Sequence, residues 1–124
     1  MYIKMNSKVM RIVTIVFTVL AAGMAIMSGV MKLTQSKEVI DTLTKAGVGD
    51  KAITLGLMEI GFAALFIYPK TMKLGFILLS CYFAGALATE LSHGAPLNAF
   101  MPLVLIWIAA FLRDRTIFLP ASVK

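Results

Sequence analysis

The sequence predicts an all-α fold: a transmembrane four-helix bundle with a short amphipathic connector helix between its first and second spans. Three observations predict it. Of the 124 residues, 60% are hydrophobic, against about 45–50% in soluble domains, and the mean hydropathy is +0.91. A soluble protein this small is mostly surface and could not hide that much apolar area. The apolar residues also gather in four segments of 16 to 20 residues, near the roughly 20 that a helix needs to cross the hydrocarbon. Finally, no segment alternates with period two, so helices rather than a closed barrel must satisfy the backbone in lipid. No linker or internal repeat divides the chain, and residues 1–124 read as one transmembrane domain.

The first span runs from Ile12 to Met31. Lys4, Lys8 and Arg11 ahead of it, with the small residues of "AAGMA", have the look of a secretory signal. The apolar run nevertheless continues unbroken through "AAGMAIMSGVM", so an uncleaved span is expected. The connection from Lys32 to Lys51 contains "SKEVIDTLTKAG", where Val39, Ile40 and Leu43 share one helical face. Ser36 can cap its start and Gly47 its end. The pattern predicts a short amphipathic helix across the mouth of the bundle. The second span, Ala52 to Tyr68, ends in a tight turn at Pro69 and Lys70. The third, Leu74 to Thr89, ends in "SHGAP", whose glycine and proline supply a loop. Spans two and three are short and suit a thin bilayer. The fourth runs from Leu97 to Leu112, and Pro102 one turn in should remove a donor and bend the helix near Asn98.

The formal charge of +6 comes from 12 Lys and Arg against 6 Asp and Glu. The basic residues sit at the ends of apolar segments, where anionic lipid headgroups are the natural partner. No basic patch is interleaved with aromatics, so nucleic acid is not expected as a partner. Lys4, Lys8, Arg11, Lys70, Lys73, Arg113, Arg115 and Lys124 fall on one side of the membrane, and Lys32, Lys37, Lys45 and Lys51 on the other. The positive-inside rule then places both termini in the cytoplasm. Cys81 is the sole cysteine, which excludes an intrachain disulfide, a CxxC redox pair and a multi-cysteine zinc site.

One residue is out of place. Glu59 lies inside the second span, in "LGLMEIGFAALFIYPK". A charged side chain at the middle of a span costs roughly 2.5–3.5 kcal/mol on insertion scales, so it must be neutral, paired or hydrogen-bonded. Ala52, Gly56, Glu59 and Ala63 recur at steps of four and three and form one helical stripe. Small residues mark the faces where membrane helices meet, so Glu59 is expected to face protein, with Leu55, Met58, Phe62 and Phe66 pointing elsewhere. Span one carries a matching stripe of Thr14, Thr18, Ala21, Ala25, Ser28 and Lys32, and span three one of Gly75, Leu79, Tyr82, Ala86, Thr89 and His93. At ~1.5 Å per residue, Glu59 and Tyr82 lie at similar depths below the connector side. The polar groups of the three stripes thus collect in the outer half, which is the pattern of a pocket open beneath the connector.

Other candidates carry less. Glu90 and His93 have the Glu-x-x-His spacing of di-iron bundles, but a single histidine cannot complete such a site and no metal is expected. Its bland reading is a hydrated helix end. Lys32 reads first as a snorkelling anchor and second as a site residue. Trp107 and the nine methionines read as packing. No Ser-His-Asp order, phosphate loop or dinucleotide fingerprint is present, so no catalytic residue is assigned, and no cofactor is evident from motifs.

The segments "SGVMKL" (Ser28 to Leu33), "LGLMEIGFAALFIYPKTMKLGFILLS" (Leu55 to Ser80), "GALATELSHG" (Gly85 to Gly94) and "RDR" (Arg113 to Arg115) resemble the DoxX-like family of small bacterial membrane proteins. The resemblance implies a four-helix membrane bundle in the bacterial inner membrane. It also implies a link to membrane oxidoreductases, since the wider superfamily includes a subunit associated with thiosulfate–quinone oxidoreduction. It marks Lys32, Glu59 and the segment from Thr89 to His93, and departs from the family's histidine at Glu90. The combined expectation is a protein that binds a small apolar or quinone-like molecule through Glu59, Tyr82, Lys32, Ser28, Thr89 and His93, and serves an oxidoreductase partner. The alternative is a non-enzymatic scaffold or assembly factor in which Glu59 is an inter-helix contact. A transporter is disfavoured, because four spans show no inverted repeat. A homodimer is compatible with either reading.

Overall fold

A computed structural model of the protein describes residues 7–119. Lys4 and Lys124, two of the charges used above for orientation, lie outside the described residues. Five α-helices follow one another: α1 (Ser7–Thr34), α2 (Lys37–Lys45), α3 (Ala52–Ile67), α4 (Met72–Ser92) and α5 (Phe100–Arg113). There is no strand among the described residues. The four long helices form a closed ring in the order α1, α3, α4, α5, each packed on two neighbours. Short connections reverse the chain each time, so neighbours run antiparallel.

α1 and the segment Pro69–Ser92 are long and apolar enough to cross a membrane. Only 17% and 22% of their most apolar windows are buried, whereas the core helix of a soluble protein would be mostly covered. Ile12, Ile15, Val19 and Met27 on α1 and Leu74 and Ile77 on α4 are more than half exposed, and lipid is the solvent that suits them. α3 and α5 are shorter, at 16 and 14 residues. Pro69 ends α3 after Ile67, and the turn at Pro96 delays the start of α5 to Phe100. Pro102 therefore falls in the first turn of α5, where no intrahelical donor is lost, and the bend expected there has no cause.

The connector helix forms as its sequence predicts. Ser36 is the N-cap of α2, its hydroxyl accepting from the Val39 amide at 3.4 Å. At the other end Val48 N–H bonds Leu43 O and Gly47 N–H bonds Thr44 O, both at 2.9 Å. That pairing requires a left-handed residue after the helix, and Gly47 supplies it at φ +84°.

Two close crossings hold the ring. Gly29 on α1 and Gly56 on α3 face each other so tightly that a Cβ on either would lie within 2.9 Å of the other's carbonyl oxygen. Gly75 on α4 meets the backbone of Leu65 and Phe66 on α3 in the same way. The half of the bundle remote from the connector is apolar, built on Phe66, Leu79 and Ile106, all fully buried. The size of Phe66 predicts that it points away from the stripe of small residues. Instead Gly75 removes side-chain bulk on α4, the two backbones meet, and the Phe66 ring turns into the core.

At the end remote from the connector, Arg113 donates to the carbonyls of Phe66 and Ile67, the latter at 3.0 Å, with its guanidinium 5.0 Å from the Phe66 ring centroid. It satisfies orphan carbonyls at the negative end of α3. Beyond it, hydrogen bonds from the Thr116 hydroxyl and amide hold the Asp114 carboxyl below its ordinary range. Arg113→Met should lower stability by about 2 kcal/mol, because hydrogen bonds to a charged group contribute about 1.5–3 kcal/mol. Arg113→Lys should recover only part, since an ammonium cannot reproduce the fork. Thermal melts in detergent read both; a Lys variant matching wild type would contradict the assignment.

Candidate functional site

The polar stripes of α1, α3 and α4 meet around Glu59. α3 buries Ala52, Gly56, Glu59, Ala63 and Phe66, so the carboxylate stands on the face that packs against protein. It is fully buried. Its Oε1 accepts from Lys32 Nζ at 2.8 Å, Tyr82 OH at 3.0 Å and Ser28 Oγ at 3.3 Å. Lys32 also donates to Ser28 Oγ at 2.7 Å. Ser28 and Lys32 lie one turn apart on α1, which places both against the same oxygen. The small pair Gly29 and Gly56 brings α1 close enough for an ammonium on one helix to reach a carboxylate on the next. Glu59 Oε2 is buried with no hydrogen-bond partner among the described residues.

Above this cluster lies a chamber of about 640 Å³. α2 and the residues after it roof the chamber through Val39, Leu43, Ala46 and Val48, and Leu55, Met58, Phe83 and Pro102 supply apolar wall. Lys32, Tyr82, Ser28 and Thr89 are polar groups in that wall. Lys32 has 14% of its side chain exposed, and two of its three N–H donors are occupied by Ser28 and Glu59. The third has no acceptor among the described residues.

Two of the expected site residues stand elsewhere. Glu59 is not part of the chamber wall; it sits one layer behind, and its partners Ser28, Lys32 and Tyr82 face the space instead. His93 is exposed and outside the wall. Its Nδ1 lies 3.0 Å from both Thr89 O and Ser92 Oγ. A Cβ on Gly47 would overlap its ring, so His93 packs the end of α4 against the connector. Thr89 lines the chamber, although its hydroxyl is spent on Gly85 O at 2.8 Å.

Glu90 carries more than its sequence reading gave it. The side chain is buried, with 9% exposure, and lines the chamber. Its Oε1 accepts from the Ala99 amide at 3.1 Å, satisfying a donor at the start of α5 and favouring the positive end of that helix. Glu90 and His93 therefore serve different partners. Asn98 and Glu38 complete the polar rim. The signal for Glu90 was its place one turn before the helix end, opposite a helix start that Pro96 fixes only in three dimensions.

The arrangement can hold an acceptor group by a charged donor and a hydroxyl group by the phenol oxygen, in a space otherwise suited to apolar matter.

Neither a curated protein nor a solved structure matches the chain. A sequence profile of the DoxX-like family matches residues 16–112, a stretch that contains the first helix from mid-turn, the connector, the Lys32–Glu59 pair and all but the end of α5. On that match, over an all-helical ring with apolar membrane-length helices, the chain belongs to the DoxX-like family.

Proposed function

We propose that this membrane protein binds a small, largely apolar molecule bearing a carbonyl or hydroxyl head, of quinone-like chemistry, in the chamber beneath the connector, and serves a membrane oxidoreductase with it. The observation that supports this most is the chamber's chemistry: an apolar space of about 640 Å³ with one ammonium hydrogen of Lys32 unspent. The Lys32 ammonium would donate to the head and the Tyr82 oxygen, whose proton goes to Glu59, would accept from a hydroxyl on it, while Leu43, Leu55, Met58 and Phe83 would pack on its ring. Glu59 acts through them, fixing the Lys32 rotamer and the Tyr82 hydroxyl from behind the wall. In this reading the protein sits in the bacterial inner membrane with both ends cytoplasmic, a choice supported by Lys70, Lys73, Arg113 and Arg115 gathering at the end remote from the connector.

A second reading has its own support. Glu59 bonds side chains from two neighbouring helices and lies outside the wall, as a purely structural contact in a scaffold would. Binding separates the two. Purified protein titrated with decyl hydroquinone, whose hydroxyl can donate to the Tyr82 oxygen, should bind saturably, and Tyr82→Phe should weaken binding about tenfold, the equivalent of one hydrogen bond at about 1.4 kcal/mol. Unchanged affinity in Tyr82→Phe, or no saturable binding, favours the scaffold.

A further inference from the structure

We infer that the chamber takes a tailed amphiphile, whose head lies beside Lys32 and Tyr82 and whose hydrocarbon chain leaves sideways between α4 and α5, past Cys81, into a groove on the lipid-facing surface. This rests on the chamber being a ligand site and names the class of molecule it holds.

The groove is a second cavity of about 560 Å³, lined by Ser80, Cys81 and Ala84 of α4 and by Leu103, Trp107 and Ile108 of α5, among others. It contains no charged group. Cys81 belongs to both walls, and Pro102 of the chamber adjoins Leu103 of the groove, so the two cavities share both sides of one seam. On the α4 side that seam is made of Ser80, Cys81, Ala84 and Gly85, and a Cβ at Gly85 would meet nothing within 4 Å. Residues this small leave the seam unfilled.

Depth agrees with this route. α4 and α5 run antiparallel from their shared outer turn. The chamber therefore uses Tyr82 to Glu90 and Asn98 to Pro102, while the groove uses residues nearer the middle of the membrane. A head held in the chamber would direct its chain inward along the seam, toward the depth where acyl chains lie. Trp107 is 47% and Ile108 37% exposed, apolar surface that such a chain would cover. Because lipid gives no hydrophobic gain for this contact, the groove contributes shape and a path: a molecule dissolved in the bilayer reaches Lys32 without displacing the connector.

The test is photolabelling in nanodiscs with a benzoquinone whose decyl chain ends in a diazirine, the sites being read by mass spectrometry. The expected result is label on Leu103, Val104, Trp107 or Ile108 that is lost under excess unlabelled decyl benzoquinone. It should also be lost in Lys32→Met/Glu59→Leu, which removes the head's donor together with its counter-charge. Ala84→Leu, which fills the groove, should abolish seam labelling while tail-less benzoquinone still binds. Competed label confined to connector residues such as Val39 and Leu43 would overturn the groove and leave the chamber standing. Seam label that persists in the double variant and under competitor would mark an ordinary lipid contact and overturn the inference. Absence of any competed label would overturn the chamber and the inference together.

Discussion

Replacing Lys32 by Met is expected to lower the unfolding free energy in detergent by about 3 kcal/mol or more, the cost of stripping a buried carboxylate of its cation. Glu59 has no exposed surface, and its ammonium partner at 2.8 Å is its strongest donor. Tyr82 and Ser28 remain at 3.0 and 3.3 Å, but both are neutral, and Oε2 already lacks a partner among the described residues. Glu59→Leu should cost less, because Lys32 is partly exposed in the chamber and its long stem can carry the charge toward water. The double variant Lys32→Met/Glu59→Leu should recover most of the loss, since removing both members of a buried pair is far less damaging than removing one. Denaturant titration of both single variants and the double measures this cycle. Small, additive losses would show that the two side chains do not interact.

Gly75→Ala is expected to cost about 3 kcal/mol, at the upper end of overpacking penalties. What its new methyl would strike is backbone: the amide nitrogen and Cα of Phe66 and the carbonyl carbon of Leu65. No rotamer change can relieve that, so α3 and α4 must separate and open the core around Phe66 and Leu79. Gly61→Ala on the same α3 provides the contrast. A Cβ there meets nothing within 4 Å, and the substitution should stabilise the protein by about 0.8–1 kcal/mol through helix propensity alone. The same melts in detergent read both variants. A Gly75→Ala protein as stable as Gly61→Ala would mean that the α3–α4 crossing is looser than described.

The fold was legible wherever local chemistry sets it. Ser36 and Gly47 bound the connector helix by capping, Pro69 ends α3, and the stripe Ala52, Gly56, Glu59, Ala63 identifies the buried face because close packing in lipid demands small residues. Phe66 escaped the same rule: whether a large side chain at the end of a helix turns inward depends on the helix opposite, here on the bulk missing at Gly75. The site was legible as a face and not as a layer. Helical periodicity places Glu59, Ser28, Lys32 and Tyr82 on converging surfaces. It does not say that three of them form a wall and the fourth stands behind it. Glu90 and His93, three residues apart, were separable only by the start of α5 and the position of Gly47, and both are tertiary facts.

In the proposed function the space under the connector is occupied by a ligand. Gly85 lines that space, and a side chain there displaces no protein atom at its Cβ, so Gly85→Leu can fill the chamber without opening the bundle. Mass spectrometry of the organic extract of purified wild type and Gly85→Leu is the direct measurement. A discrete apolar compound present in wild type and missing from an equally stable Gly85→Leu is the predicted result; the same extract from both proteins would contradict it.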